Sequence, residues 1–405
     1  MHKNSKKVKG NHHLVWDYFV ITLLLITSGS VCWVHLFSPA PTFMFFLFVA
    51  LYNAIYVKKD FGIAKNNSYC FILIVILLCT LNYVYINSPY QDNSMIGYLV
   101  ALTGAYLIIS RYDFYYFRRI LTNILYYISL IGIPIFILAE LEALPLTIIT
   151  TLGGTEYSTF LFYTLGWPYL FHRYSGIWHE PGACQIIYNT VLWLHFDSIT
   201  NWKWERGQKK KLLVILLGSI LTLSTGSYLV LMLLVIGCVL SMRIRSKRKI
   251  LIITGLLIVS SFAIFIIFNS PVIQNKLFDA EGENGSKIAR ISDVLALWTM
   301  TLEQPILGYG IGTDIFWNLS DKYGNTACSS GLLTYSASLG FTWLFVFIYC
   351  VYKNVKRLKI GIGAYFLIFA VLMMQFNEKF IEFPITNIFV FQFASYLNKK
   401  NNVSK

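Results

Sequence analysis

Three short stretches of this chain carry residue types that could do chemistry. In the first, His172-Arg173-Tyr174-Ser175-Gly176-Ile177-Trp178-His179-Glu180-Pro181-Gly182, an arginine, two histidines and a glutamate crowd together where a long apolar run begins. Charge at the edge of hydrocarbon is costly, so the cluster suggests a site for an anionic group, with Arg173 as the cation and His179 or Glu180 as a proton acceptor. The competing reading is an interfacial anchor, with Arg173 paired to Glu180 and the aromatics setting depth. The second stretch, Gly285-Ser286-Lys287-Ile288-Ala289-Arg290-Ile291-Ser292-Asp293 followed by Trp298, has the apolar spacing of an amphipathic helix. Arg290 and Asp293 then lie one turn apart, either as a plain surface ion pair or with the planar fork of Arg290 free to clamp a phosphate. The third, Gln304-Pro305-Ile306-Leu307-Gly308-Tyr309-Gly310-Ile311-Gly312, places Gly308, Gly310 and Gly312 at alternate positions, where backbone N–H groups can approach an anion or another backbone. A tight structural turn explains those glycines equally well.

Other chemistries lack a signature. The chain has no Walker lysine motif, no HExxH and no GxSxG, and its seven cysteines show no CxxC or Cys/His ligand spacing, so neither a metal nor a nucleotide or other cofactor is expected. The formal charge of +14 forms no long basic stripe, which argues against a nucleic-acid partner.

The elements that position these stretches are set by the solvent. Of 405 residues 56% are hydrophobic and only 13% charged, against roughly a quarter charged in soluble domains. Tyrosines and tryptophans cluster at the ends of apolar runs, as amphipathic rings do at a membrane interface. Runs near the length of about 20 residues that spans hydrocarbon occur at Trp16–Leu36, Pro39–Val57, Ser68–Ile86, Met95–Ser110, Ile120–Ala139, Gly182–Ile199, Ile250–Phe268, Gly331–Val351 and Ile360–Phe376, with a shorter one at Pro384–Leu397. The stretch Leu212–Leu240 is flanked by basic residues on both sides, Lys209-Lys210-Lys211 and Arg243 through Lys249, so the positive-inside rule makes it two helices turning at Ser224-Thr225-Gly226-Ser227. The expected fold is all-α: one polytopic membrane domain over residues 1–405, with about 12 transmembrane helices. Both termini are cytoplasmic, and two large extracytoplasmic loops span residues 140–181 and 269–330. Of the 33 Lys and Arg, only Arg173, Lys276, Lys287, Arg290, Lys322 and Lys379 then fall outside. Loops of that length are usually functional or disordered, and apolar residues such as Leu161-Phe162-Tyr163 suggest that part of the first is re-entrant or interfacial.

Taken together, RYSGIWHEPG (Arg173–Gly182), STGS (Ser224–Ser227) and the R-x-x-D…W…P-x-x-G-x-G-x-G series from Arg290 to Gly312 resemble the O-antigen polymerase (Wzy-type) and O-antigen ligase superfamily of bacterial polysaccharide assembly. The resemblance covers roughly residues 170 to 350. It implies a glycosyltransferase-type enzyme of the bacterial inner membrane. Such an enzyme moves a growing glycan from undecaprenyl pyrophosphate to the non-reducing end of another lipid-linked repeat unit, with a chain-length regulator and a flippase as neighbours in the same membrane. Arg173 and Arg290 would hold the leaving diphosphate, His179 or Glu180 would take the proton, and Asp293 would orient an arginine. The superfamily often has an arginine after the hairpin serine, where this chain has Tyr228, and a His-Asn pair before a helix glycine, where it has Ser329-Ser330. The ligase branch relies on that histidine, so polymerase is favoured over ligase. A lipid-linked oligosaccharide flippase is the alternative from another class.

Overall fold

The computed structural model describes residues 14–31, 39–56, 61–62, 65–83, 94–151, 154–166, 173–242, 254, 285–324, 328–378, 382–393 and 395–396. Helices dominate. Five come first, α1 (Leu14–Ile26), α2 (Pro39–Tyr56), α3 (Lys65–Tyr83), α4 (Ser94–Ile109) and α5 (Phe114–Glu140). After a small sheet follow α6 (Pro181–Leu194), α7 (Phe196–Thr200), α8 (Gln208–Leu221), α9 (Thr225–Ser241), α10 (Gly285–Glu303), α11 (Asp314–Lys322), α12 (Gly331–Lys356), α13 (Gly363–Asn377) and α14 (Pro384–Asn387). Among the described residues α5 and α12 are long and apolar enough to cross a bilayer, and α1, α2, α3, α4, α9 and α13 are shorter apolar helices. These apolar helices suit a membrane protein.

Leu212–Leu240 forms two helices, α8 and α9, separated at Thr222–Ser224 where Leu223 adopts a positive φ of 49°. Other expectations are corrected. The first apolar run does not continue as one helix to Leu36: α1 stops at Ile26 and the chain turns at Gly29, whose φ is 87°. The last run is no helix of spanning length, since Pro384–Asn387 gives way to a 3-10 turn at Ile388–Val390 and then to extended backbone, all of it buried. The described residues are mostly helical, as expected, but they also include two small sheets. Residues 140–181 hold a three-stranded antiparallel sheet, β2 (Thr147–Thr150), β3 (Glu156–Phe160) and β4 (Tyr163–Thr164), while β1 (Phe61–Gly62) pairs with β5 (Ser395–Tyr396). Side chains that are β-branched or aromatic, TIIT in β2 and EYSTF in β3, suit a pleated half-buried surface better than a helix. Apart from Thr254, the run Ile250–Phe268 and the rest of the stretch from 243 to 284 lie outside the described residues.

Lipid tails are as apolar as leucine, so helices in a bilayer associate through close packing rather than through water exclusion. Small residues allow that approach here. A Cβ on Gly104 would strike the ring of Phe46, one on Gly218 the ring of Tyr188, and one on Gly237 the side chain of Phe366. A second, smaller cluster of Leu297, Met300, Tyr309, Phe316, Cys328, Leu333 and Ala337 forms where α10, α11 and the start of α12 meet.

Contacts between connections sort into two groups. At one end Arg118 pairs with Asp197 at 2.8 Å, Tyr112 donates to Asp17 at 3.0 Å, Lys211 donates to Asn123 at 2.6 Å, and the Asn67 side chain accepts from the backbone of Gln392 at 2.7 Å. At the other end Gly29 meets His179, Ser28 meets Ile385, Leu223 meets Arg173, Gly226 meets Asn377 and Asn82 meets Ile311. All three chemistry-bearing stretches have contacts in the second group.

Candidate functional site

The small sheet is the platform for the first stretch. Arg173 donates its backbone N–H to Leu165 at 3.0 Å and Thr164 donates to Gly176 at 2.8 Å, so Arg173–Gly176 runs as an added extended segment beside β4. That geometry aims the Arg173 side chain at the α8–α9 turn. Its Nε donates to the Thr222 carbonyl at 3.2 Å and its Nη2 to the Leu223 carbonyl at 2.9 Å. These carbonyls directly follow the last turn of α8, so the cation also complements the negative end of that helix.

His179 and Glu180 follow at the start of α6. The His179 Nδ1 lies 2.7 Å from the Gly29 carbonyl and can bond to it only as a donor, which places the proton on Nδ1 and leaves Nε2 of the neutral ring as the acceptor. Nε2 faces the Glu180 carboxylate at 3.9 Å. Glu180 is the residue before Pro181, which starts α6 where its missing N–H costs nothing.

A residue outside the three stretches joins them. Glu378 ends α13, and its carboxylate lies over the first turn of α6, so close that a Cβ on Gly182 would sit 2.9 Å from its carboxyl carbon. Its Oε1 is 3.6 Å from Nη2 of Arg290, which projects from α10. Burial, and then the neighbouring Glu180 carboxylate, push Glu378 up to about 8 against the pull of Arg290 and Arg173. Burial likewise lowers the Arg173 guanidinium, opposed first by Glu378 and then by Tyr228 and Glu180. Arg173, Glu180, Arg290 and Glu378 thus share one electrostatic field, with Glu378 only 15% exposed and Arg290 53% exposed. Arg290 and the N-terminus of α6 beside this carboxylate are donors of the kind that suit an anion.

The remaining predicted residues are placed differently. Asp293 is fully buried and accepts the Ser329 N–H at 3.1 Å, tying α10 to the segment that leads into α12. Gly308 donates its N–H to Gln304 at 3.0 Å, Tyr309 donates to Ala337 at 3.0 Å and Gly310 to Ser338 at 2.8 Å, so this backbone packs against the break in α12 at Gly340. The N–H groups of Gly308 and Gly310 are therefore committed to carbonyls rather than presented to an anion. Gly312 lines a narrow recess with Trp317, Tyr335 and Glu382 that has room for little more than one water molecule. No group of three or more His, Cys, Asp or Glu side chains among the described residues could hold a metal ion.

Glu378 went unforeseen because an isolated acid forms no spacing pattern. Its one signal is the polar interruption Asn377-Glu378-Lys379 with Glu382 between two apolar runs.

No curated protein matches the chain. Residues 212–348, from α8 through most of α12, match the O-antigen ligase family, whose members are membrane enzymes that act on lipid-linked glycans. The matched segment contains the hairpin that receives Arg173, the helix that carries Arg290 and the glycine series packed on α12, and it supports the resemblance to the O-antigen ligase and polymerase superfamily.

Proposed function

We propose that the protein is a polysaccharide repeat-unit polymerase. It transfers a growing glycan from undecaprenyl pyrophosphate to the non-reducing end of a second lipid-linked repeat unit at the outer face of the bacterial inner membrane. The observation that carries the reading is that Arg290 reaches the Glu378 carboxylate at the N-terminus of α6, a carboxylate that also feels the charge of Arg173.

In the transfer the acceptor hydroxyl oxygen bonds to the anomeric carbon of the donor sugar. The bond from that carbon to the diphosphate oxygen breaks, and its electron pair leaves with the lipid diphosphate. Charge grows on the diphosphate, where Arg173 and Arg290 stabilise it, and such fixed cations in a partly dry site are worth more than in water. The hydroxyl proton passes to His179 Nε2, whose tautomer the Gly29 carbonyl fixes, with Glu180 beside it to stabilise the imidazolium. Before substrate arrives, Glu378 holds the place between the arginines that the diphosphate takes.

Ser329-Ser330, where the ligase branch keeps a histidine, favours polymerase over ligase. The gathering of unusual residues at one end, with no line of charge through the bundle among the described residues, favours either over a flippase. The test is turnover of lipid-diphosphate-linked repeat units by the purified protein in liposomes. A polymerase yields a ladder of products, a ligase a single transfer to a lipid core, and a flippase no new glycosidic bond. Arg173→Ala and Arg290→Ala, each at normal abundance, should leave the unit unextended. Ladders of wild-type length from both variants would remove the two arginines from the site.

A further inference from the structure

We infer that the stretch joining α10 to α11 is re-entrant: its Pro305–Leu307 turn and the exposed apolar stripe of α10 lie among the acyl chains of the outer leaflet. The inference rests on α12 crossing the bilayer and goes beyond the glycan-transfer reading. Ile291, Leu295, Trp298 and Leu302 recur along α10 at the spacing of one helix face, and all four are exposed. Ile306, 67% exposed, and Leu307 extend that surface past the helix end. The same surface runs on to α12, where Trp298 packs against Phe341 at 6.0 Å and Phe341 against the exposed Phe345 at 6.4 Å. Since α12 is long and apolar enough to span, Phe345 faces lipid, and the stripe of α10 is continuous with that lipid-facing side.

Depth follows from two helices measured from one level. Near the basic end of α12, Gln392 donates its side-chain N–H to the Lys353 carbonyl at 3.1 Å, and its backbone donates to the Asn67 side chain near the start of α3 at 2.7 Å. From there Lys353 to Phe341 is about 18 Å of helix, and Asn67 to Asn82 about 22 Å, at about 1.5 Å per residue. Both far points hold the stretch: Phe341 donates its N–H to the Pro305 carbonyl at 2.7 Å, and the Asn82 side chain accepts the Ile311 N–H at 3.0 Å. Hydrocarbon is about 30 Å thick, so with Lys353 at its inner edge the stretch sits roughly 8 to 12 Å inside its outer edge.

The backbone of the turn is suited to that depth. In hydrocarbon, non-helical backbone persists only where its polar groups find partners within the protein. Gly340 breaks α12 with a φ of 71°, so the Phe341 N–H and the Ala337 carbonyl, which an unbroken helix would join, both turn to the neighbouring stretch. Phe341 serves Pro305, Ala337 accepts from Tyr309 at 3.0 Å, and Ser338 accepts from Gly310 at 2.8 Å. The Thr342 hydroxyl donates to the Ile306 carbonyl at 2.8 Å. Water would satisfy a surface turn without this exchange. Glu303, the acid beside the turn, has its carboxylate engaged by the Tyr309 hydroxyl at 3.0 Å and by the Tyr323 hydroxyl, as a charge near the interface requires.

The experiment places the photoreactive p-benzoylphenylalanine, one position at a time, at Leu302, Ile306, Phe345 or Lys359 of the full chain. Each variant is reconstituted into vesicles of synthetic phosphatidylethanolamine and phosphatidylglycerol, free of polyprenyl lipid, then irradiated and digested. Mass spectrometry reads acyl-chain adducts. Leu302 and Ile306 should give adducts as readily as Phe345 on α12, while Lys359, beyond the basic end of α12, should give none. Adducts at Phe345 but at neither Leu302 nor Ile306 overturn the inference. Covalent dimers at those two positions overturn it by assigning the surface to a second copy, and adducts that form only after undecaprenyl phosphate is added do so by assigning it to the carrier lipid. Loss of adducts at Phe345 as well takes α12 out of the bilayer and the inference with it. The assay uses no glycan substrate, so adducts in the expected pattern without ladder formation in liposomes would retain the re-entrant turn and reject the polymerase reading.

Discussion

Replacing Glu378 by glutamine tests the site more sharply than removing either arginine. Glu378 lies between Arg290 and the start of α6, within the field of Arg173, and burial with Glu180 pushes it up to about 8. A diphosphate competes with the charged carboxylate for the same cations, so binding favours the protonated form and takes up a proton. If only the protonated form admits the ligand, the competent fraction is about 0.9 at pH 7 and about 0.09 at pH 9, and the apparent Kd rises about tenfold over that interval. Glu378→Gln is neutral at every pH and shaped like the protonated acid. Its affinity should match wild type at pH 7 and exceed it about tenfold at pH 9. Calorimetric titration of the solubilised protein with geranyl pyrophosphate at both pH values measures this, and the variant corrects for the ligand's own titration because that contribution is common to both proteins. Folding carries the same sign. The folded state keeps a proton that the unfolded chain releases near 4.5, so Glu378 makes the fold progressively less stable as pH rises from about 4.5 to about 8. A tenfold loss of affinity in both proteins between pH 7 and pH 9, or in neither, would refute the placement of Glu378 in the diphosphate site.

Two further substitutions separate positioning from charge. Arg173→Lys keeps the cation but cannot span the Thr222 and Leu223 carbonyls with one planar group, and hydrogen bonds from charged donors are worth about 1.5–3 kcal/mol each. Faster amide exchange at residues 222–226 and loss of the glycan ladder are expected, and wild-type values of both would show that charge alone suffices. Gly340→Ala should fail in folding rather than in chemistry. Gly340 has φ of 71° and its added Cβ would lie 2.8 Å from the Pro305 carbonyl oxygen, so strain and overlap together cost on the order of 3 kcal/mol or more. Its folded yield and melting temperature should drop, and a normal melting temperature would mean that the α12 break does not need glycine.

What the residues disclosed in advance follows from which forces act locally. Helix limits were legible wherever an apolar run met polar residues: Pro39–Tyr56 and Ser94–Ile109 begin and end within one residue of the apolar pattern. The α8–α9 break was legible from charge, because two basic flanks on one side of a bilayer force the chain to return. The sheet at residues 147–164 was not, since its apolar content resembles a membrane-associated helix and the distinguishing signal is only the β-branched and aromatic character of two short strands. Arg173 and Arg290 were legible as types, but their roles divide once partners are known: Arg173 is fixed on backbone carbonyls, whereas Arg290 is more exposed and reaches Glu378. Glu378 escaped for a physical reason. Topology rules weigh lysine and arginine, and acids contribute little to orientation, so a single glutamate beside Lys379 adds nothing to the pattern that reveals the helices. Its significance arises only after folding, when α6, α10 and α13 bring a helix N-terminus, a guanidinium and a carboxylate together from distant parts of the chain. An acid at the end of an apolar run, on the side that carries few cations, is therefore the feature most worth seeking in a membrane enzyme that handles anions, because burying it there requires cationic partners that only the tertiary structure can supply.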